Sequence, residues 1–403
     1  MKEYCLGDLI EIKHGYAFDG EHITPDDNGV VLVTPGNFKI GGGFQEEKCK
    51  FFSGEIPKEF VLHGGDYIVT MTDLSKTIDT LGFSAIVPYS NRIYLHNQRI
   101  GLITFISDEC DRDYIYYLMQ THSYQRAIAN TSTGSTVHHT SPSKIREYRF
   151  LAPEKSMQIR ASRFLKSIDS LIENNQEQIK LLEEAAQRLY KEWFVDLRFP
   201  GYETTIVVDG VPEGWEQCEL CTVAKVNEKS ISKDYLHEYI DYIDLSSVSA
   251  GEIKERTRYT LIEAPGRAKR IAKDGDIIWG MVRPNLRSYA LVMHPTETEV
   301  FSTGFAILTA KTIPYSYLYC LVTQPSFVSY LVNCTNGAAY PAVRPEHFEK
   351  AEILKPANDV LNRFHTFSEP IFRKIEAIRS QNEKLEEARD RLLPKLMSGE
   401  IEV

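Results

Sequence analysis

The chain has 403 residues, which exceeds one ordinary hydrophobic core and predicts two to four structural units. Hydrophobic residues make up 42% and aromatic residues 11%, which excludes wholesale disorder. No apolar run reaches the length of a membrane span, and the charged N-terminus is unlike an export signal, so no membrane partner is expected. Seven cysteines without a regular framework favour a reducing, cytoplasmic location.

The formal net charge of −10 argues at first against nucleic-acid binding, since phosphate binding usually leaves a basic footprint. That total averages over very different stretches, however. Between Gly266 and Arg287 six basic residues accompany only two acidic ones. The composition is therefore compatible with local basic surfaces on a protein that is acidic overall.

The first part of the chain, residues 1–153, is predicted to be an α+β domain with a mixed sheet. Gly41–Gly43 predicts a tight turn, and a helix is expected over Arg112–Asn130. A polar loop, a short helix and a closing strand should follow. Short alternating apolar segments predict strands at Gly29–Thr34, Tyr67–Met71, Ser84–Val87 and Ile100–Ile106, with the loop at Thr131–Ser143, the helix near Lys144 and the last strand ending at Pro153.

Residues 154–200 carry the seam of a coiled coil, because apolar residues recur in alternating steps of four and three. The helix is expected to end at the break Pro200-Gly201, before a hairpin-like linker that contains Asp209-Gly210. The predicted seam residues are Ile168, Ile172, Asn175, Ile179, Leu182 and Leu189.

A shift of 203 positions finds the same seam in residues 357–403. Pro370 is expected to separate a short leading helix from the main one, and Pro394 lies where that helix should end. The predicted seam residues of this second helix are Ile371, Ile375, Ile378, Asn382, Leu385 and Leu392.

The two helices are predicted to pair antiparallel within the chain, with a single buried polar layer. Such a layer sets the register of a coiled coil at some cost in stability. The facing pairs would be Asn175 with Asn382, Ile179 with Ile378, and Leu182 with Ile375.

Residues 201–356 repeat the first domain. At a shift of 203, Gly101–Pro153 lies on Gly304–Pro356 without a gap, and at a shift of 210 Gly64–Met71 lies on Asp274–Met281. The predicted fold is therefore a duplicated α+β chain: two similar mixed-sheet domains joined by two long helices, which form an antiparallel intramolecular coiled coil with pseudo-two-fold symmetry.

No catalytic or cofactor motif is found. The GxxxxGK[ST] phosphate loop and the GxGxxG fingerprint are both absent, and no two prolines are adjacent, which excludes the motif of amino-methyltransferases. Cys218 and Cys221 have zinc-like spacing, but no second pair follows at a usual distance. Two buried thiols are therefore expected there, and no metal site.

In the first domain, a run of hydroxyl and imidazole side chains around Gly134 suits hydrogen bonding to base edges and phosphates. A metal-binding role for His138-His139 is disfavoured, because adjacent histidines point in different directions and no third ligand is evident. A solvated loop is the alternative. The DNA-binding candidates are Thr133, Ser135, Thr136, His138, His139, Thr140 and Ser141, with Lys76, Arg92, Asn97, Gln98 and Arg99 as looser candidates.

In the second domain, Arg267, Lys269 and Arg270 form a cluster suited to phosphate. Arg283, Asn285 and Arg287 suit a groove of DNA, because Arg pairs well with guanine and Asn with adenine. The counterpart of the first polar loop, residues 336–344, contains Tyr340 and Arg344. Each residue taken singly is more often a solvated surface group. The two corresponding loops are both polar but contain different residues. This suits two domains that each recognise a different DNA sequence.

Three stretches resemble the specificity subunits of type I restriction–modification systems. They are Thr133–Pro153, Leu189–Gly201 (LYKEWFVDLRFPG) and Arg391–Ile401 (RLLPKLMSGEI). The resemblance implies two target recognition domains that each read one half of a bipartite double-stranded DNA target, with the coiled coil as spacer. It also implies two methyltransferase subunits and motor-nuclease restriction subunits as partners. S-adenosylmethionine, ATP and magnesium would be bound by those partners, and no cofactor by this chain.

The hypothesis is thus a non-catalytic, sequence-specific DNA-binding subunit. A related system that couples to modification alone is an alternative within the same class. Two alternatives come from other classes: a coiled-coil scaffold that never contacts DNA, and a nuclease hidden in one of the α+β domains.

Overall fold

The computed structural model describes residues 1–75, 77–134, 137–232, 235–335 and 341–403. It confirms the predicted α+β class with mixed sheets and two long helices. The chain forms two compact units: unit 1 comprises residues 1–173 and 382–403, and unit 2 comprises residues 174–381. Within the described residues, none of the helices combines the length and apolar character that a bilayer crossing requires.

Unit 1 contains short strands, three helices and the first half of a long helix. The strands are β1 (Lys2–Cys5), β2 (Ile10–His14), β3 (Ile23–Thr24), β4 (Val30–Val33), β5 (Lys50–Phe52), β6 (Val61–Leu62), β7 (Tyr67–Thr70), β8 (Thr72–Asp73), β9 (Ser84–Ile86), β10 (Ile93–His96), β11 (Ile100–Phe105), β12 (His138–His139) and β13 (Arg149–Ala152). The helices are α1 (Arg112–Leu118), α2 (His122–Asn130), α3 (Pro142–Arg146) and α4 (Lys155–Tyr190).

Two sheets form the body of unit 1. One has the order β3-β5-β4-β10-β6 and is mixed, because β4 and β10 are parallel; the other has the order β2-β11-β7-β9 and is antiparallel. β1 pairs with β13, which closes the domain at its end. The predicted turn at Gly41–Gly43 is confirmed, since all three glycines have positive φ.

Unit 2 repeats this inventory. Its strands are β14 (Val207–Val208), β15 (Val211–Pro212), β16 (Glu216–Glu219), β17 (Ala224–Val226), β18 (Lys229–Ser230), β19 (Tyr239–Ile243), β20 (Val248–Ser249), β21 (Glu252–Ile253), β22 (Thr257–Thr260), β23 (Ala268–Ile271), β24 (Ile277–Gly280), β25 (Tyr289–Leu291), β26 (Glu299–Ser302), β27 (Phe305–Ala310) and β28 (Glu352–Lys355). Its helices are α5 (Leu220–Val223), α6 (Tyr315–Thr323), α7 (Pro325–Asn333), α8 (Pro345–Glu349) and the first part of α9 (Asn358–Met397), whose last part belongs to unit 1.

The sheets of unit 2 have the orders β18-β23-β26-β19-β22 and β17-β27-β24-β25. Again one pair, β19 with β26, is parallel and the other pairs are antiparallel. β16 pairs with β28 as β1 pairs with β13, and β14 with β15 forms the expected hairpin. The largest core of unit 2 joins this domain to the second half of α4 and the first half of α9 through Tyr190, Trp279 and Phe364.

Strand pairing corrects the predicted alignment of the two copies. The helices and the last strand follow the shift of 203, since α1, α2, α3 and β13 fall on α6, α7, α8 and β28. In the sheets, however, Ile100 pairs with Thr70 as Phe305 pairs with Gly280. Thr70 and Gly280 differ by 210, and Ile100 and Phe305 by 205. The second copy is therefore two residues shorter between β27 and α6, and the gapless alignment is wrong over β11.

The single helix predicted over Arg112–Asn130 is wrong, because two helices occupy it. Thr121 is extended and its hydroxyl accepts the N–H of Tyr124, so it caps the start of α2. In unit 2 Pro325 begins α7, and a residue that precedes proline is kept out of the helical region. The same break thus arises from a side-chain cap in one copy and from proline in the other.

The long helices run antiparallel within each unit, as predicted. In unit 1 Asp169 of α4 accepts a hydrogen bond from Arg389 of α9 at 3.1 Å. In unit 2 Glu183 of α4 accepts one from Arg379 of α9 at 2.6 Å. Burial raises the pKa of Glu183 although Arg379 opposes that rise.

The predicted seam residues are shielded from solvent to different degrees. Ile168, Ile172, Ile375 and Ile378 are buried, and Ile179, Leu182, Leu189, Ile371, Leu385 and Leu392 are partly buried. Asn175 and Asn382 are 4% and 8% exposed. Because these two asparagines belong to different units, their predicted pairing stays a prediction.

Two helix boundaries differ from expectation. α4 ends at Tyr190 and one π-helical turn, Lys191–Val195, follows it before the break at Pro200-Gly201. Pro370 does not separate two helices, because α9 is continuous from Asn358 to Met397. Pro370 is exposed, so water can serve the carbonyl that the proline leaves without a helical donor.

Replacing Pro370 by alanine is expected to stabilise the chain by about 1–3 kcal/mol, because proline inside a helix loses a backbone hydrogen bond and crowds the preceding turn. Chemical denaturation of the full chain measures this change. Pro142→Ala is the matched control, since Pro142 lies at the first position of α3, where proline is favoured. A Pro370→Ala chain that is less stable than wild type would contradict the interpretation.

Candidate nucleic-acid interface

The polar loop of unit 1 is tied to the loop that follows strand β7. His138 and His139 pair antiparallel with Asp73 and Thr72, so β12 and β8 form a two-stranded ribbon. The hydroxyl of Thr72 lies 3.0 Å from Nδ1 of His139. As expected for neighbours on a strand, the two histidines differ in environment: His138 is half-buried and His139 is exposed.

The Met71 peptide joins this ribbon to a third segment. Its N–H donates to the carbonyl of Arg99 at 2.9 Å, and its carbonyl accepts the N–H of Thr140 at 3.0 Å. Residues 97–99 form the turn between β10 and β11, where Oδ1 of Asn97 accepts the N–H of Arg99 at 3.0 Å. We call the three hydrogen-bonded segments, residues 97–99, 71–73 and 138–140, the loop frame of unit 1.

A cleft of about 510 Å³ opens on this loop frame. Four of the predicted DNA-binding residues line it together, although they come from two distant parts of the sequence. The lining residues are His14, Gly15, Met71, Thr72, Gln98, Arg99, His139 and Thr140. Gln98, Arg99 and His139 are exposed. The side chains of Gln98 and Arg99 have no hydrogen-bond or ion-pair partner among the residues that the structure describes, so they are available to a ligand.

Asp73 anchors the loop frame from within. The residue is 1% exposed, and its carboxylate accepts hydrogen bonds from the Ser75 N–H at 2.6 Å, the Thr80 N–H at 2.5 Å and the Thr80 hydroxyl at 2.8 Å. Burial by itself would raise the pKa of Asp73, but these hydrogen bonds outweigh it and hold the pKa below its ordinary value of 3.8. Asp73 is therefore a structural carboxylate and faces away from the cleft.

Other candidates of unit 1 have structural partners. Arg92 pairs with Asp27 at 2.7 Å and lies over the ring of Phe51. Thr133 exchanges backbone hydrogen bonds with His139, and Ser141 caps α3. Nδ1 of His138 and Oγ1 of Thr140 are buried without a hydrogen-bond partner among the described residues. Lys76, Ser135 and Thr136 lie outside the described residues.

Unit 2 builds the same backbone arrangement. The Met281 N–H donates to the carbonyl of Gly304 at 2.8 Å, and its carbonyl accepts the N–H of Val343 at 2.8 Å. Val282 bridges Ala342, and the Arg283 N–H donates to the carbonyl of Pro341 at 2.8 Å. The loop frame of unit 2 therefore consists of residues 302–304, 281–283 and 341–343, which correspond one by one to those of unit 1.

The central loop of unit 2 points its charged residues outward. Arg283 and Arg287 flank the short 3-10 helix Pro284–Leu286, and both have left-handed backbone conformations with φ of 49° and 55°. Residues with side chains adopt this region at some energetic cost, and such strain concentrates at functional sites. Arg283, Asn285 and Arg287 are all exposed.

The remaining candidates of unit 2 are divided. The carbonyl of Arg267 accepts the N–H of Thr303, so this exposed arginine adjoins the loop frame, and exposed Arg344 follows the frame directly. Lys269 is exposed on β23. Arg270 is half-buried, its Nε has no hydrogen-bond partner among the described residues, and burial lowers its pKa. Tyr340 lies outside the described residues.

Sequence reasoning missed His14, Gly15 and Thr72 in the cleft. They lie at the ends of strands with no local motif, and only the pairing of the strands places them beside Arg99. The expectation of two buried thiols is also wrong, because Cys218 is half-buried and Cys221 is exposed. Across the described ranges, no group of three or more His, Cys, Asp or Glu residues could hold a metal ion.

Comparison with known proteins gives a consistent result. Residues 1–184 match the family model described as the type I restriction modification DNA specificity domain. The MjaIX specificity subunit of Methanocaldococcus jannaschii, part of a type I restriction enzyme, is 25% identical over 306 aligned positions, which cover 72% of this chain and 69% of that protein. The HindI specificity subunit of Haemophilus influenzae, also from a type I restriction enzyme, is 22% identical over 474 aligned positions, with 99% of both proteins covered.

The fold has a counterpart among solved structures. The S subunit of a type I restriction–modification system from M. genitalium superposes with a TM-score of 0.59 at 14% sequence identity, and the match covers 98% of this chain and 96% of that one. At this identity the likeness shows that the two chains share a fold.

Gly15 allows the turn of residues 97–99 to approach β2. A Cβ atom at Gly15 would lie 2.3 Å from the carbonyl oxygens of both His96 and Asn97, which are backbone atoms and cannot move aside cheaply. Gly15→Ala is therefore expected to destabilise unit 1 by about 1–3 kcal/mol in chemical denaturation. Gly20→Ala is the matched control, because nothing lies within 4 Å of its Cβ position. Equal stabilities of the two variants would contradict this packing.

Asp73→Asn is expected to destabilise unit 1 by about 1–3 kcal/mol near neutral pH, because a buried charge-assisted acceptor is lost. Since the folded pKa of Asp73 is lowered, its contribution is present above the unfolded pKa and is lost as the pH falls through the folded pKa. The difference in the free energy of unfolding between wild type and the Asp73→Asn variant should therefore shrink below pH 3.8. Denaturation at a series of pH values measures it, and a constant gap would show that Asp73 does not act through its charge.

Proposed function

We propose that the chain belongs to the type I restriction modification DNA specificity family, whose model matches its residues 1–184, and that it selects the DNA target of such a system. Each unit would read one half of a bipartite target in double-stranded DNA. As a member of a family of specificity subunits, the chain is non-catalytic.

One observation carries this proposal: both units build the same loop frame from backbone hydrogen bonds and place different exposed polar side chains on it. Gln98, Arg99 and His139 are presented by unit 1, whereas Arg283, Asn285 and Arg287 are presented by unit 2. A shared backbone with different hydrogen-bonding groups is what two readers of different base sequences require.

The partners follow from the same family membership. We expect the chain to act in a complex with the other subunits of its restriction–modification system, namely two methyltransferase subunits and motor-nuclease subunits. S-adenosylmethionine, ATP and magnesium would be bound by those subunits. The near-repeat of α4 in α9 supports two similar attachment surfaces for the methyltransferase subunits.

Deletion of the chain in its native host is expected to remove one bipartite methylated motif from genomic DNA, because the methyltransferase would lose its target selection. Single-molecule sequencing, which detects methylated bases, measures this. Re-expression of the chain from a plasmid is the control and should restore the same motif. Persistence of every methylated motif after deletion would overturn the proposed function.

Binding of the assembled complex to duplex DNA should weaken steeply with salt, with the logarithm of the affinity falling by ~0.9 per phosphate contact for each unit of log salt. Fluorescence anisotropy with a labelled duplex measures the slope. If the chain were a scaffold that never contacts DNA, the slope would be unchanged when Arg267 and Arg344 are replaced by alanine. A DNA-binding chain would show a shallower slope.

A further inference from the structure

The two loop frames carry their exposed polar side chains on different segments, and the geometry points to Arg99 and Arg283 as the residues that each read a guanine, in different halves of the target. This inference rests on the proposed function and adds the specificity-determining residue of each unit. It follows from comparing the three segments of the two frames in turn.

The first segment, the turn between two strands, is closed identically in both units. Oδ1 of Asn97 accepts the N–H of Arg99 at 3.0 Å, and Oγ of Ser302 accepts the N–H of Gly304 at 3.1 Å. The tips differ, because Gln98-Arg99 of unit 1 is replaced by Thr303-Gly304 in unit 2. Only the turn of unit 1 therefore carries side chains long enough to reach into a groove.

The second segment, the loop after the central strand, shows the reverse. In unit 1 it places Asp73 inside the protein, where three hydrogen bonds hold its carboxylate. The corresponding position in unit 2 is Arg283, which is exposed and has a φ of 49°. Its backbone N–H is fixed by the carbonyl of Pro341, so the loop is held while its side chain points to solvent.

The third segment completes the contrast. His139 is exposed in unit 1, whereas its counterpart in unit 2 is Ala342, which is exposed but has no polar atom in its side chain. Unit 1 thus presents polar groups on its first and third segments, and unit 2 presents them on its second. In the described part of the chain, the side chains of Arg99 and Arg283 have neither a hydrogen-bond nor an ion-pair partner.

Arginine donates two parallel hydrogen bonds to O6 and N7 of guanine in the major groove, and no other base offers that pair of acceptors. A lysine keeps the charge but cannot reproduce the planar fork. Arg99 and Arg283 are therefore expected to discriminate guanine from the other bases by about 10-fold or more.

The test replaces each arginine in the chromosomal copy of the native host and maps methylated motifs by single-molecule sequencing. Arg99→Ala and Arg99→Lys should each relax one G·C position in one half of the motif. Arg283→Ala and Arg283→Lys should relax one G·C position in the other half. Relaxation means methylation of sites with a different base there, raised by about 10-fold or more relative to wild type.

Matched controls are two basic residues near the far ends of the equivalent strands β11 and β27. Arg112 lies over the ring of Phe105, and exposed Lys311 follows Ala310. Arg112→Ala and Lys311→Ala should leave both halves of the motif unchanged. Immunoblots of the host extracts confirm that each variant accumulates to the wild-type level.

Two results would overturn the inference while leaving the proposed function intact. A uniform loss of methylation with an unchanged motif, restored by the lysine variants, would show that the arginines contact phosphates. Relaxation of the same half by both arginine variants would show that the two frames do not read separate halves. Failure of the proposed function is seen separately, as a motif that survives deletion of the whole chain.

Discussion

Two methionine peptide groups hold the candidate interface together, one in each unit. Met71 and Met281 each donate an N–H to the turn between two strands and accept an N–H from the loop before a short helix. Each peptide therefore connects three segments that are far apart in the sequence. Because these hydrogen bonds are between backbone atoms, the exposed side chains of the loop frame can change without breaking them.

A second constraint is the placement of charge between the long helices. In both units the acid belongs to α4 and the arginine to α9, as Asp169–Arg389 in unit 1 and Glu183–Arg379 in unit 2. Arg389 lies between the seam residues Leu385 and Leu392, where the heptad pattern calls for an apolar residue, and the pairing with Asp169 explains why it is tolerated there. Each ion pair is partly shielded from water, so removing one partner would leave the other charge poorly solvated.

Much of this architecture could be predicted from the sequence because it repeats. Heptads and the shift of 203 located the long helices, the short helices α3 and α8, and the closing strands. Strand register could not be predicted in the same way. β11 and β27 correspond at a shift of 205 instead of 203, and no turn motif in the sequence reveals this difference of two positions. The helix break at Thr121 depends on one capping hydroxyl, and the continuity of α9 through Pro370 depends on an exposed carbonyl; neither follows from periodicity.

The interface was predictable only in part, for a related reason. Polarity and residue type identified Gln98, Arg99 and His139, which the structure brings to one cleft, but they also suggested Arg92, which pairs with Asp27. His14, Gly15 and Thr72 carry no signal of their own, because their role arises from tertiary pairing. Residue type indicates what a side chain can bind, while the strand pairing decides whether it is free to do so.

The backbone and the exposed side chains of the loop frame have separate roles, and this separation bears on how such a chain acquires a new DNA target. The backbone supplies the shape, and the exposed side chains at positions 98, 99 and 283 make no described hydrogen bond or ion pair that the fold needs. Substitutions at positions 98 and 99 can alter recognition while leaving folding stability nearly unchanged, whereas position 283, with its φ of 49°, also favours residues that tolerate a left-handed backbone. A library randomised at these three positions would accordingly contain mostly folded proteins, and new specificities could be selected from it without compensating mutations in the core.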